Sequence, residues 1–189
     1  MDVLRTPGAR FAAVTGGLRI VAGHPERFAR IVAANTGLPT GDIPMPAVWH
    51  RFKDAVTSAP VLDIARLVQA GCASTLPQDV RDAYDAPFPD ESYKAGPRAM
   101  PGLVPATPGD PAAPANRAAW QILTTLGLPF LVAFSDGAPI TGGMAPILKK
   151  TMAGAAGLDH PVLHGAGHFL QEDAGADLGW HIAAFVTAT

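Results

Sequence analysis

Apolar residues run without interruption from Pro129 to Phe134 and again, more briefly, from Pro161 to Leu163. Each run stops at a polar turn: Ser135-Asp136-Gly137 after the first, Gly165-Ala166-Gly167-His168 after the second. Short unbroken apolar runs bounded by turn residues predict strands buried on both faces, as parallel sheets require. Phe28–Ala34, with a β-branched centre, predicts a further strand, fed by a helix ending over Leu18–Ala22 and stopped by Gly23-His24-Pro25. Beyond it the period changes. Val48, Trp49, Phe52 and Val56 recur at helical spacing and predict a helix over Pro46–Val56, and Val61–Val68 and Gln78–Tyr84 predict two more. Asn116–Leu126, containing Trp120, predicts an amphipathic helix leading into the Pro129 strand. Thr141-Gly142-Gly143 opens another that runs to about Ala153, with Lys149 and Lys150 near its carboxyl end, where cations suit the helix dipole. The last helix starts near Asp173, a good N-cap, and presents Leu178, Ile182, Ala183 and Val186 on one face. Phe11–Val14 is short and apolar, enough for a fourth strand of minimal length.

Alternating strands and helices define an α/β protein. Three successive helices interrupt that alternation, so the pattern predicts one domain, 1–189, with a helical insertion over about 40–113. Such insertions sit over the carboxyl edge of the sheet as a cap that shields a site from water. The 189 residues allow one domain of this kind. Composition narrows the partners: 48% hydrophobic residues, 16% charged residues and a net charge of −2 give no basic surface for nucleic acid or an anionic membrane, and favour a small-molecule ligand. Cys72 is the only cysteine, which excludes an internal disulfide, and MDVLRTPGAR has no apolar stretch suited to a signal peptide, so a cytoplasmic location is expected. No run approaches the ~20 apolar residues of a membrane span. The 19 prolines cluster partly between Pro97 and Pro114 and predict a long irregular connection there.

Candidate chemistry follows from the two strand ends. In open parallel sheets, ligands and catalytic groups gather outside the carboxyl ends of the strands. Asp136 and His168 arrive there from different strands, with room for one helix between, and together form a candidate acid–base pair. Taken singly, each also suits an ordinary turn. An imidazole acting as base needs a carboxylate on its other nitrogen to fix its tautomer, so an Asp136 oxygen is expected within about 2.6 to 3.2 Å of His168 Nδ1. His164 reads as a satisfied structural histidine, and His24 and His160, each before a proline, as turn residues. The six histidines show no metal-ligand spacing. Trp49 and Trp120 carry donor-only indole N–H groups, but at helical spacing they read as core residues.

Four segments make the chain recognisable: GGLRIVAGHPERFARIVAANTGLPTGD, YDAPFPDESYKAG, PFLVAFSDGAPIT and GAGHFLQED. In this order and spacing they resemble the C-terminal part of haloalkane dehalogenases of the α/β-hydrolase superfamily, from about Gly17 onward. The chain order, carboxylate before histidine, is also that of the last two members of an α/β-hydrolase triad. The resemblance implies a partial α/β-hydrolase fold, parallel strands with flanking helices and a helical cap. It implies hydrolysis of small apolar halogenated substrates by water, without a cofactor, with His168 as base and Asp136 as its carboxylate. It places Cys72 where some relatives have a halide-binding Trp, and Met100, Pro101 and Val104 in the pocket wall, where core packing is an equal reading. The family's nucleophile turn, Asp-Trp-Gly-Gly, corresponds to Val14-Thr15-Gly16-Gly17, with no Asp, and an ungapped alignment puts Phe11 at that position. No nucleophile is found. Asp136 is followed by Gly137-Ala138-Pro139, where relatives often carry a second acid. Two alternatives stand beside dehalogenation: a catalytically dead truncated remnant that binds a partner, and an epoxide hydrolase or esterase of the same fold. A sheet lacking its first-half strands leaves the Phe28–Ala34 strand at an open edge, which predicts self-association there.

Overall fold

A computed structural model describes residues 15–189. Phe11–Val14, read above as a fourth strand, and Phe11 as a nucleophile position lie outside the described residues. Three parallel strands, β1 (Ile31–Ala34), β2 (Phe130–Ser135) and β3 (Val162–Leu163), stand in the order β1-β2-β3. Ile31 pairs with Phe130 and Ala34 with Ala133, while β2 and β3 meet only at Phe134↔Val162 and Ser135↔Leu163. β1 is shorter than the predicted Phe28–Ala34. Pro25–Arg27 forms a 3-10 turn closed by Phe28 N donating to Pro25 O, so extended pairing starts only at Ile31.

Side chains alternate across the sheet, and both faces are covered, which is why the strands read as unbroken apolar runs. Ile31, Ala33, Phe130, Val132 and Phe134 pack against α1 (Thr15–Gly23), α6 (Ala113–Leu123) and α7 (Met144–Thr151) through Leu18, Val21, Ala119, Leu123 and Leu148. Val32, Leu131 and Ala133 face the other way, onto Leu170 of α8 (Leu170–Asp173) and Phe185 of α9 (Gly175–Ala188). Phe130, Leu18, Ile31 and Leu148 are each essentially fully buried, and burial of a side chain of this size contributes about 1.5–3 kcal/mol. α6 begins three residues before the predicted Asn116 because Pro114 falls in its first turn, where a missing N–H costs nothing.

Between β1 and β2 come α2 (Ala47–Ser58), α3 (Ile64–Gly71), α4 (Gln78–Asp85) and α5 (Ala95–Ala99), followed by a 3-10 turn at Met100–Leu103. The proline-rich stretch is therefore partly helical. Val56, Leu62 and Ile64 form a small core of their own with Leu67 and Phe88. Asp63 caps α3 through Arg66 N at 2.7 Å. Glu91 gathers Lys94 Nζ (2.8 Å), the Arg98 guanidinium and Leu62 N, and these contacts, Lys94 first, hold its carboxyl down at about 2.

This insertion leaves and rejoins the sheet domain at one point. Gly41 has φ +77°, and a Cβ there would lie 2.0 Å from Thr107 O, so the outgoing and returning backbones touch. α6 clamps the outgoing strand of this neck: Trp120 Nε1 donates to Leu38 O (2.7 Å), Asn116 Nδ2 to Pro39 O (2.6 Å), and Arg117 to Asp42. Gly41 is buried at this neck, a position where only a residue tolerant of left-handed backbone and free of a side chain fits.

The final helix departs from its predicted form. Asp173 does not cap it; Ala174, at φ −137° ψ 34°, separates α8 from α9, and Ala183 is exposed while Phe185 takes the buried position. Among the described residues no helix is long and apolar enough to cross a membrane.

Candidate functional site

The carboxyl ends of the strands converge as predicted. The Asp136 turn after β2 and the loop 164–168 after β3 lie against one another: Asp136 N donates to Leu163 O (3.3 Å) and Gly137 N to Ala166 O (3.0 Å). A Cβ on Gly137 would come within 2.5 Å of Ala166 O, so the glycine is what allows the loops to meet.

The expected hydrogen bond between Asp136 and His168 is not formed. The Asp136 carboxylate is exposed and bonds instead to His164 Nδ1 (3.0 Å) and Gly165 N (2.9 Å), and the bond to His164 leads the effects that lower its pKa. The cause is local: Gly165 at φ +70° turns its own N–H and the preceding imidazole toward Asp136 before the chain reaches His168. His164, read as a structural histidine without a role, is thus the partner of Asp136, although its side chain is 81% exposed.

His168 is half-buried. Its Nδ1 has no hydrogen-bond partner among the described residues, its ring meets Phe169 edge-on at 5.1 Å, and burial alone pushes its pKa below the ordinary imidazole value. Burial thus favours the neutral ring, with Nε2 and Nδ1 both uncommitted to a carboxylate. A neutral half-buried imidazole can accept a proton from water. It lacks the group that would fix its tautomer.

The backbone around His168 is held from two sides. On the sheet side Asn35, immediately after β1, donates through Nδ2 to Ser135 Oγ (2.7 Å), Gly167 O (2.9 Å) and His168 O (2.9 Å). On the insertion side Asp173 accepts from Gly167 N (2.8 Å), Ala73 N (2.8 Å), Ser74 N (2.9 Å) and Ser74 Oγ. Burial works to raise the Asp173 pKa, but these bonds outweigh it and bring it down to about 2. Phe169 N donates to Gly71 O (3.2 Å), and Tyr84 Oη to Glu172 (2.7 Å). Burial, then that bond, pushes the Tyr84 hydroxyl up to about 12. The turn that follows His168 is thus the seat of the helical insertion. Asn35 was not singled out from the sequence, although it follows an apolar strand just as Asp136 does, and Asp173 was read only as a helix cap.

Other predicted positions divide. Cys72 lies beside the histidine loop, where a Cβ on Gly167 would be 3.0 Å from Cys72 C. Burial and the neighbouring Asp173 and Glu172 push its thiol up to about 11, so it is no thiolate. Met100 is exposed, Val104 half-buried and Pro101 buried. Trp49 is buried at 3% and Trp120 spends its donor on Leu38 O, so both are core residues. His160 is a built part of the sheet rather than a turn residue: its Nδ1 accepts from Val132 N (3.2 Å) and its Nε2 meets Ala155 O (3.1 Å). His24 is exposed beside Glu26. A shallow groove of about 410 Å³ lined by Asp79, Val80, Ala83, Tyr84 and Glu172 runs along the insertion, with neither His168 nor Asp136 in its wall. Among the described residues no cluster of His, Cys, Asp and Glu is built to hold a metal ion.

A small parallel sheet covered by helices on both faces, with polar turns converging at its carboxyl end, defines a partial α/β-hydrolase fold. No family model matches the chain. It is homologous to haloalkane dehalogenases: 47% identical over 176 residues to haloalkane dehalogenase 1 of Mycobacterium bovis, covering 92% of this chain and 57% of that one. It is 44% identical over 170 residues to the haloalkane dehalogenase of Psychrobacter cryohalolentis, covering 90% and 56%. The chain thus spans rather more than half the length of these relatives. The fold is shared with the haloalkane dehalogenase DpaA of Paraglaciecola agarilytica, whose structure is tetrameric (TM-score 0.80, 23% identity, 90% of this chain and 57% of that one), and with an ancestral haloalkane dehalogenase (TM-score 0.77, 17% identity).

Proposed function

We propose that this chain carries the histidine base, its loop and the helical cap of a haloalkane dehalogenase-like hydrolase, acting on small apolar halogenated substrates with water. The observation that supports this reading most directly is the half-buried His168 on the loop after β3, against the Asp136 turn. In this role residues 40–113 exclude water from above. Cys72, beside the histidine loop, and Met100, Pro101 and Val104, around the 3-10 turn that ends the insertion, belong to the pocket wall. Asp136 and His168 act as the acid–base set only once the carboxylate leaves His164 and Gly165. Held as it is, Asp136 shapes the turn, and a base without its carboxylate loses about 10⁴-fold in a hydrolytic triad.

Val14-Thr15-Gly16-Gly17 offers no carboxylate, and a neutral hydroxyl is a poor nucleophile toward a halogenated carbon. The chain alone is therefore expected to release no halide from 1,2-dibromoethane or 1-chlorobutane above buffer. The discriminating protein is a chimaera in which the segment of the Psychrobacter relative that precedes the match is joined at Gly17. Halide release by the chimaera that disappears in His168→Ala supports the assignment. A folded chimaera whose activity is indifferent to His168→Ala overturns it.

A further inference from the structure

We propose that Asn35 is a positioning residue for His168: its carboxamide, set where the three strand ends meet, fixes the backbone from which the histidine side chain departs. The proposal rests on reading His168 as the base of the site.

The His168 ring has no side-chain partner to place it, because Nδ1 is unbonded and Phe169 offers only an edge contact. Its position must therefore come from its main chain. Asp136 holds Gly165 N, and Asp173 holds Gly167 N, but only Asn35 bonds the carbonyl of His168 itself. β3 ends at Leu163, so no strand pairing serves the Gly167 and His168 carbonyls, and buried carbonyls without donors are costly. Asn35 is 4% exposed. Its Oδ1 accepts from Ser135 N (2.9 Å), which fixes which way the amide faces, and its two N–H groups serve three acceptors, with Ser135 Oγ relaying to Gly167 O at 2.7 Å. Among the described residues Asn35 is also the non-glycine residue with a left-handed backbone, φ 40°. Asparagine adopts that conformation more readily than most side chains and brings the donor with it. A buried residue that combines an unusual backbone with a fully used amide, tying the end of β2 to the histidine loop, is built to hold that loop.

The test follows the half-buried His160 and His168 of the full chain, labelled with ¹³C at Cε1, through a pH titration by NMR. Asn35→Gly keeps the left-handed backbone and Asn35→Ala the Cβ, and each removes the amide without adding a charge. In both, the His168 midpoint is expected to rise toward the ordinary imidazole value as the ring gains water. The midpoint of His160, held by Val132 N and Ala155 O, stays fixed. Ser135→Ala, which leaves the bond to His168 O, leaves the His168 midpoint near that of the parent. Folded Asn35 variants with unchanged His168 titration overturn the proposal, as does a joint shift of both histidines, which would mean general loosening. Should the variants not fold, scalar coupling across the hydrogen bond, from Asn35 Nδ2 to the His168 carbonyl carbon in the unsubstituted chain, decides it: its presence supports the proposal, and its absence overturns it. None of these readouts requires halide release, so the positioning role and the proposed activity fail or stand separately.

Discussion

Asp173 makes more of one carboxylate than any other side chain near the site: four donors, three of them from the insertion and one from the histidine loop. Hydrogen bonds to a charged group contribute about 1.5–3 kcal/mol each when well buried, and less when partly exposed as here, so Asp173→Ala is expected to lower stability by about 2 kcal/mol in urea unfolding at pH 7. The folded pKa, about 2, lies below the ordinary carboxylate value of 3.8. The contribution is therefore complete above about pH 4 and is lost as the pH falls through 2, and the variant and parent should converge there. A difference that persists unchanged in acid would assign the effect to packing. Ala138 carries a second prediction at this scale. It is the buried residue of the Asp136 turn, at 6%. Ala138→Asp is expected to raise the His168 pKa by supplying a negative charge beside the imidazole. An unmoved His168 titration would show that Nδ1 faces elsewhere. The sequence placed Asp136 and His168 at adjacent strand ends correctly. It did not reveal that Asp136 chooses His164, because that choice depends on the left-handed turn at Gly165.

Among the elements, β3 is the weakest strand, joined to β2 by two residue pairs and completed by the His160 ring, which stands in for a strand carbonyl at Val132 N. Burial lowers the His160 pKa, so the ring keeps its accepting lone pair to a lower pH than a free imidazole would. Once it is protonated that bond breaks. Amide exchange at Val132 is expected to accelerate in mild acid relative to Leu131, once the intrinsic pH dependence is removed, and equal protection of the two amides would refute the role. Buried strands and amphipathic helices were legible because burial on both faces leaves an unbroken apolar run and burial on one face leaves a helical period. The ends were less so: β1 lost three residues to the Pro25 turn, α6 gained three through Pro114, and Asp173 was claimed by the insertion instead of the helix it precedes. Those outcomes turn on contacts distant in sequence, between residues 73 and 173 or 35 and 167, which no local pattern records.

At the scale of the molecule, β1 lies at the margin of the described sheet with an apolar, buried strand of four residues. Unpaired strand edges template association. The purified chain is expected to self-associate through Ile31–Ala34, and a clean monomer of about 19.5 kDa in light scattering, with a sharp melt in the ordinary mesophile range, would refute this. The neck at Gly41 points elsewhere. Gly41→Ala, strained in backbone and driven into Thr107 O, is expected to loosen the insertion and slow its return after unfolding. A polypeptide excursion whose two ends touch makes no demand on the sheet through its length, and its content is constrained where residues 71–74 and Tyr84 dock on the histidine turn. Residues 42–106 are in this sense a cassette: a bridge of a few glycines across the neck should leave β1, α6 and β2 intact, and the same neck should accept the corresponding segment of another dehalogenase without disturbing the sheet beneath it.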